Sequence, residues 1–133
     1  MKKISLFVLL LLALTNLSAQ NKKVKKDNRF APQIETIIDA FKTKKVDKLN
    51  QLLIKGYTIN RIPKGIEPMA LPQIFQQMPS FNNYVVTDVI ALKENKKVLI
   101  TFSLKEQKMT ANIVINKLGK ITELNILGDT EMN

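Results

Sequence analysis

The chain has 133 residues, of which 45% are hydrophobic and 24% are charged, and its formal net charge at pH 7 is +10. It contains no cysteine and no histidine. These absences exclude disulfides, thiol nucleophiles and thiolate metal sites, and they remove the commonest metal ligand and general base. We therefore expect a protein without a cofactor that is not an enzyme.

Residues 1–19 have the pattern of a secretory signal peptide. Lys2 and Lys3 precede the apolar run Leu6–Leu14, and the polar segment that follows ends in the small residue Ala19. The apolar run is too short to span a bilayer, which requires about 17 to 25 residues. We predict cleavage near Ala19 and export to the periplasm or the exterior, without stable membrane insertion. An uncleaved anchor is the alternative.

Residues 20–30 are predicted to form a disordered basic linker. The ten residues from Gln20 to Arg29 carry five cations against Asp27, a net charge of +4, with Val24 as their one apolar side chain. Such a segment buries too little surface to offset the entropy of ordering it. Binding of anionic lipid or nucleic acid by this arm is an alternative. The rest of the chain has no basic stripe with interleaved aromatic residues, so no nucleic-acid partner is expected.

Residues 31–129 are predicted to form a single domain that begins with helices. Pro32 suits a first helical position, and an apolar stripe at helical spacing follows. The stripe consists of Ile34, Ile37, Ile38 and Phe41. A second helix is predicted over Val46–Lys55, ending where Gly56 can adopt a left-handed cap. A short strand at Tyr57–Ile59 and a loop at Pro63–Pro68 lead to a third amphipathic stretch at Met69–Met78.

The last fifty residues alternate between apolar and polar side chains, which indicates an antiparallel meander. The predicted strands are Tyr84–Leu92, Val98–Leu104, Met109–Asn116 and Ile121–Leu127. One face of this sheet is apolar, and only the helices can cover it. The sequence therefore predicts an α+β fold with N-terminal helices packed on a curved antiparallel sheet of four to five strands.

This order of elements resembles the nuclear-transport-factor-2-like (SnoaL-like) superfamily. The resemblance rests on the segments Ile34–Phe41 and Val46–Leu53 and on the closing hairpin Gly119–Ile126. It implies a cone-like fold whose cavity serves catalysis, small-molecule binding or dimer contact in different members. A cystatin-like arrangement is the alternative.

A weaker resemblance concerns the middle of the chain. The segments Leu49–Leu53, Tyr57–Ile59 and Ile62–Ile66 are similar to exported accessory domains found upstream of retropepsin-like proteases. Asp129-Thr130-Glu131 lacks the glycine of the catalytic Asp-Thr-Gly triplet, so protease activity does not carry over.

Enzymatic members of the cone superfamily usually place a His, Asp or Tyr at the cavity. Without histidine, the candidates in this chain are Asp88, Glu123, Tyr57 and Tyr84. By alternation, Asp88 shares a strand face with Tyr84 and could act there as a general base. Alternatively, the strand twists or bulges and Asp88 meets solvent or a lysine. The residues expected to line a cavity are Tyr57, Phe75, Tyr84, Asp88 and Phe102.

Three functions are compatible with these patterns. The first is an exported, non-catalytic binding module for a small apolar molecule, a peptide or a partner protein. The second is an envelope interaction domain that pairs with another protein or forms a homodimer. The third is an isomerase- or hydrolase-like enzyme that uses Asp88.

Overall fold

The computed structural model describes residues 28–128, so the predicted signal peptide, most of the predicted linker and residues 129–133 lie outside the described residues. The helices are α1 (Ala31–Thr43), α2 (Asp47–Asn50) and α3 (Glu67–Gln77), and a 3-10 turn (Asn28–Phe30) precedes them. The strands are β1 (Leu53–Ile59), β2 (Asn83–Leu92), β3 (Asn95–Leu104), β4 (Gln107–Ile115) and β5 (Ile121–Asn125). Within residues 28–128, none of the helices has the length and apolar character required to cross a bilayer.

The five strands form one open sheet in the order β1-β5-β4-β3-β2. Strands β2 to β5 pair antiparallel with their neighbours in sequence, as the alternation predicts. Strand β1 pairs with β5 in parallel, which the prediction of an antiparallel sheet did not include. Register shifts interrupt three of the four pairings and bend the sheet. The predicted α+β class with a curved sheet is confirmed.

Helix α1 buries its predicted stripe against the inner face of the sheet. Ile34, Ile37 and Phe41 are fully buried, and Pro32 lies in the first turn. The helix ends at Thr43, and the next residue, Lys44, has a left-handed backbone and donates its N–H to the Ala40 carbonyl over 2.9 Å. Phe30, assigned to the linker by the sequence, belongs to the core.

The predicted second helix is wrong over most of its length. Helix α2 stops at Asn50, and Leu53 already pairs with Ile121 of β5. The spacing of the leucines fits a helix, but pairing with a distant strand overrides this local preference. Gly56 is therefore not a helix cap. It lies inside β1 at φ +84°, within the register shift between Leu53 and Thr58.

Helix α3 begins earlier than predicted, at Glu67, because Pro68 occupies its first turn rather than the preceding loop. Leu71 and Phe75 are buried against the core, whereas Met69, assigned to the apolar stripe, is 71% exposed. The helix thus presents a narrower apolar face than the sequence suggests.

Candidate binding cleft

The interior of the domain is filled by aromatic rings. Phe41 of α1 is their centre: its ring centroid lies 5.0 Å from that of Phe75, 5.2 Å from that of Phe81 and 5.1 Å from that of Phe102. Phe41, Phe75 and Phe102 have no exposed surface. The two larger surface clefts among residues 28–128 include none of these four rings. A small apolar ligand would have to displace tightly packed side chains to enter here.

Four of the five residues expected to line a cavity lie in this core. Tyr57, Phe75, Tyr84 and Phe102 are all buried, and the last two face each other across the β2–β3 pair. Tyr57 lies on β1, at the opposite edge of the sheet. The structure therefore brings these side chains to one side of the sheet.

Asp88 lies apart from them, on the outer face of the sheet. A bulge between Val86 and Asp88 inserts Thr87, after which Asp88 pairs with Leu99 and Val89 pairs with the buried Val98. The bulge is the alternative that the sequence analysis gave to simple alternation, and the expectation that Asp88 lines a cavity is corrected. Its side chain is exposed, and one oxygen accepts the Val89 N–H over 2.8 Å. Glu123 is also exposed and pairs with Val114.

A cleft of about 470 Å³ lies where strand β4 runs past the end of β5. Strand β5 stops at Asn125, opposite Asn112, so Gln107–Ala111 have a neighbour on the β3 side only. Within residues 28–128, no strand pairs with the other edge of this segment. In an antiparallel sheet, each residue directs its N–H and C=O toward one neighbouring strand, and the next residue directs its own toward the strand on the opposite side. Among residues 28–128, the segment Gln107–Ala111, called the free edge below, therefore offers N–H and C=O groups without a strand partner to the cleft.

The far wall of the cleft is the chain that leaves the sheet after β5. The Asn60 side chain holds this wall: its Oδ1 accepts the Leu127 N–H over 3.0 Å, and its Nδ2 donates to the Leu127 carbonyl. Arg61 adds a bond from its Nη1 to the Gly128 carbonyl over 2.7 Å. These contacts join residues 67 positions apart in the sequence, so the cleft depends on long-range contacts.

The lining of the cleft divides into an apolar and a polar side. Met109, Ala111 and Leu127 supply apolar surface, while Thr110 and the amides of Asn112 and Asn125 supply hydrogen-bonding groups. Among residues 28–128, Lys108 is the one charged residue that lines the cleft. No group of His, Cys, Asp or Glu side chains within residues 28–128 could hold a metal ion. The arrangement is suited to binding a polar, extended ligand.

Comparison with solved structures establishes the fold. A de novo designed protein with the nuclear-transport-factor-2 fold aligns with a TM-score of 0.50 and 18% identity, covering 78% of this chain and 88% of the design. The chain has a nuclear-transport-factor-2-like fold. Looser similarity extends to a nuclear-transport-factor-2-like protein of unknown function from Cytophaga hutchinsonii (TM-score 0.46, 16% identity, 79% and 94% covered). A candidate ketosteroid isomerase from Kribbella flavida is similar at TM-score 0.46 and 12% identity, with 78% and 82% covered.

Sequence comparison adds no assignment to this result. No protein-family model matches the chain, and no curated protein matches it. At these identities, the similarity of the structures concerns the nuclear-transport-factor-2-like fold alone. The resemblance found in the sequence is therefore confirmed as a fold, and the function has to be argued from the site.

Tyr57 interacts electrostatically with a second buried polar side chain, Glu67, which the sequence analysis did not single out. Glu67 is 5% exposed and Tyr57 is 8% exposed. One Glu67 oxygen accepts the Gly65 N–H over 2.9 Å, but the other oxygen and the Tyr57 hydroxyl have no hydrogen-bond partner within residues 28–128. Burial, and secondly the Glu67 carboxylate, raise the pKa of Tyr57. Neither residue lines either of the two larger clefts.

We expect Tyr57→Phe to increase the free energy of unfolding at neutral pH by up to about 1 kcal/mol, because it removes a buried hydroxyl without a partner. The raised pKa also predicts a pH dependence. Above pH of about 10 the unfolded phenol ionises while the folded one keeps its proton, so the free energy of unfolding decreases as pH rises. Urea unfolding at neutral and at alkaline pH measures both effects, and the alkaline decrease should be smaller in Tyr57→Phe.

Glu67→Gln provides the companion test of this pair. It removes the charge that disfavours the phenolate, so the Tyr57 pKa should fall but stay above its ordinary value, since burial is the larger cause. Phenolate absorbance during titration measures this change in pKa. An unchanged phenolate titration would show that the two side chains are not coupled.

Two features of the site escaped the sequence analysis, for different reasons. Glu67 follows a Pro-Lys-Gly-Ile turn and precedes Pro68, a pattern that signals a helix start and could have placed its carboxylate in the first turn. Asn60 carried no comparable signal, because its role depends on Leu127, a residue that only the folded chain brings near.

Proposed function

We propose that this protein is an exported, non-catalytic binding module that accepts an extended polypeptide segment of a partner protein in the cleft beside β4. One observation carries the proposal: the interior is filled by aromatic rings, while the free edge of β4 faces a surface cleft of about 470 Å³. Export is proposed from the sequence pattern of residues 1–19.

The unpaired backbone of the free edge selects the kind of ligand. An extended peptide can add a strand to such an edge, with main-chain hydrogen bonds providing affinity and side-chain contacts providing specificity. Met109 and Ala111 point to the inner face, as their partners Phe102 and Ile100 do, while Thr110 points outward with Thr101. A fitting peptide therefore alternates apolar residues toward the inner side with polar residues toward the outer side.

The charge of the cleft refines this choice. Lys108 lies at the end of the cleft near the β3–β4 turn, and its side chain is exposed. An acidic residue on the outer side of the peptide would lie within reach of this ammonium group. An exposed pair of this kind contributes about 0.2–1 kcal/mol, which favours acidic peptides without determining the affinity.

A synthetic peptide of about eight alternating valine and glutamate residues is a suitable probe, since it would span the free edge at about 3.3 Å per residue. We expect it to shift the backbone amide resonances of residues 107–112 in a saturable manner. The same peptide with proline at alternate positions should not bind, because proline cannot donate to the ladder. Lys108→Glu should weaken binding at least about threefold at low salt.

Lys55→Glu is the matched control for the charge reversal. Lys55 is exposed on β1, away from the cleft, and this variant makes the same change in net charge. Equal weakening by both variants would indicate a general charge effect. Equal binding of the proline peptide, or resonance shifts confined to other parts of the sheet, would contradict the proposed site.

Self-association is a second candidate function, favoured by the outer face of β2. Val85 and Ile90 are 55% and 41% exposed there, and β2 is an edge strand of the sheet. Apolar side chains on an edge strand favour pairing with a second copy. A concentration-dependent mass in solution, lost on Val85→Glu, would support a homodimer through this face.

An isomerase-like activity is the remaining alternative, since one of the similar structures is a candidate ketosteroid isomerase. It would require Asp88 to act from the exposed outer face, or Tyr57 and Glu67 to gain access to a substrate. We favour the non-catalytic function because these carboxylates lie in neither of the two larger clefts.

A further inference from the structure

One end of the sheet concentrates positive charge. Two turns form this end: Lys93-Glu94 between β2 and β3, and residues 116–120 between β4 and β5. The pairing of Lys96 with Ile115 brings the two turns together. A cleft of about 490 Å³ between them is lined by Arg29, Lys93, Lys96 and Lys117, and Glu94 is its one carboxylate within residues 28–128. We call these four cations and their two turns the basic end.

The basic end also presents an exposed leucine. Leu118 lies at the tip of the turn between β4 and β5, directly after Lys117, and is 85% exposed. The turn is well defined, because the Asn116 Oδ1 accepts the N–H groups of Leu118 and Lys120 over 2.9 and 3.0 Å. An apolar residue held out beside lysines can enter the boundary between lipid headgroups and acyl chains.

The chain joins the fold at this same end. Phe30 lines the cleft, and the Arg29 guanidinium carbon lies 5.2 Å from the centre of its ring. The sequence just before Asn28 holds four further lysines within residues 22–26. The lysine-rich sequence 22–26 is therefore followed closely by a residue of the basic end, Arg29. Clusters of this size are attracted to anionic lipid surfaces.

We propose that the basic end docks on the surface of an anionic phospholipid bilayer, with Leu118 entering the headgroup region. This inference goes beyond the proposed peptide binding and is independent of it. The free edge of β4 starts at Gln107, whereas the basic end includes Ile115 at the other end of the same strand. The eight residue steps from Gln107 to Ile115 span about 26 Å, so a docked domain would present its peptide cleft away from the membrane.

Vesicles of phosphatidylcholine with about one third phosphatidylglycerol provide the test, with pure phosphatidylcholine vesicles for comparison. The protein is purified after export, in the processed form that the host releases. We expect co-sedimentation with the anionic vesicles alone and weaker binding at high salt. Replacing Lys93, Lys96 and Lys117 together by serine should weaken binding about a hundredfold, at roughly fivefold for each cation near the surface.

Two further variants make the result specific. Replacing the exposed Lys42, Lys64 and Lys105 by serine makes the same charge change away from the basic end and should leave most binding intact. Leu118→Ser should weaken binding about tenfold without a charge change. Equal effects of the two triple variants, or no effect of Leu118→Ser, would overturn the proposal. Competition by inorganic phosphate, or equal binding to a DNA oligonucleotide, would show an anion site instead of a lipid surface.

Discussion

Phe41→Ala is expected to decrease the free energy of unfolding by about 3–5 kcal/mol, the largest effect of any single substitution considered for this domain. Phe41 is fully buried and its ring contacts three other phenylalanine rings at centroid distances of 5.0–5.2 Å. Each aromatic pair contributes about 0.5–1.5 kcal/mol beyond the area that it buries. Because these partners come from α3, β3 and the segment before β2, the substitution loosens several elements together. Urea unfolding followed by circular dichroism measures the loss.

Leu118→Ala is the control for this substitution, because Leu118 is largely exposed. Its free energy of unfolding should differ from that of the unsubstituted protein by no more than about 0.5 kcal/mol. Domains of this size have total stabilities of about 5–15 kcal/mol, so Phe41→Leu provides a milder variant if the alanine variant does not fold. A loss below about 1 kcal/mol for Phe41→Ala would indicate an open or hydrated interior. Such a result would favour a small apolar molecule bound in the interior over an extended peptide as the ligand.

The sequence predicted the parts of the fold that depend on local periodicity. Alternation with lysine-rich and glycine-containing turns identified all four hairpin strands. However, β3 and β4 begin two to three residues earlier than predicted, and β5 ends at Asn125 instead of Leu127. The stripe of α1 was equally clear, because three of its four residues are fully buried. In these segments, side-chain pattern and tertiary packing favour the same structure, so local reasoning sufficed.

Where local and long-range preferences disagreed, the prediction failed. Leu52 and Leu53 continue a helical spacing, but Leu53 lies in strand β1 and pairs with Ile121 of β5. The sequence left a bulge open as one alternative for Asp88, but alternation alone could not decide that an inserted residue, Thr87, reverses its face. Whether the cone was open also required the structure, since Phe41, Phe75, Phe81 and Phe102 meet from four separate segments.

The binding cleft depends entirely on such long-range relations. It exists because β5 stops at Asn125 while β4 continues to Gln107, and because the following chain is held by Asn60. No motif in the sequence marks where one strand ends relative to its neighbour. The free edge could therefore be recognised only after the register of the sheet was known.

Replacing Asn60 with alanine should affect both stability and the proposed site. The side chain makes two hydrogen bonds to the Leu127 backbone, which is partly buried and 67 positions away. Removing them leaves the Leu127 N–H and carbonyl without these partners, at a cost of about 1–3 kcal/mol. Because Leu127 forms a wall of the cleft, the valine–glutamate peptide should also bind more weakly. Hydrogen exchange at the Leu127 amide and peptide titration measure the two effects.

Two variants separate the hydrogen bonds from other consequences of the substitution. Asn60→Asp keeps the shape and the acceptor but replaces the donor with an oxygen facing the Leu127 carbonyl, so it should destabilise about as much as alanine does. Asn50→Ala, an exposed asparagine at the end of α2, should change stability by less than about 0.5 kcal/mol. Faster exchange at Leu127 together with unchanged peptide binding would mean that this wall does not contribute to the site. If Asn60→Ala lowers both the protection of the Leu127 amide from exchange and the affinity for the peptide, the proposed binding function depends on this single long-range contact.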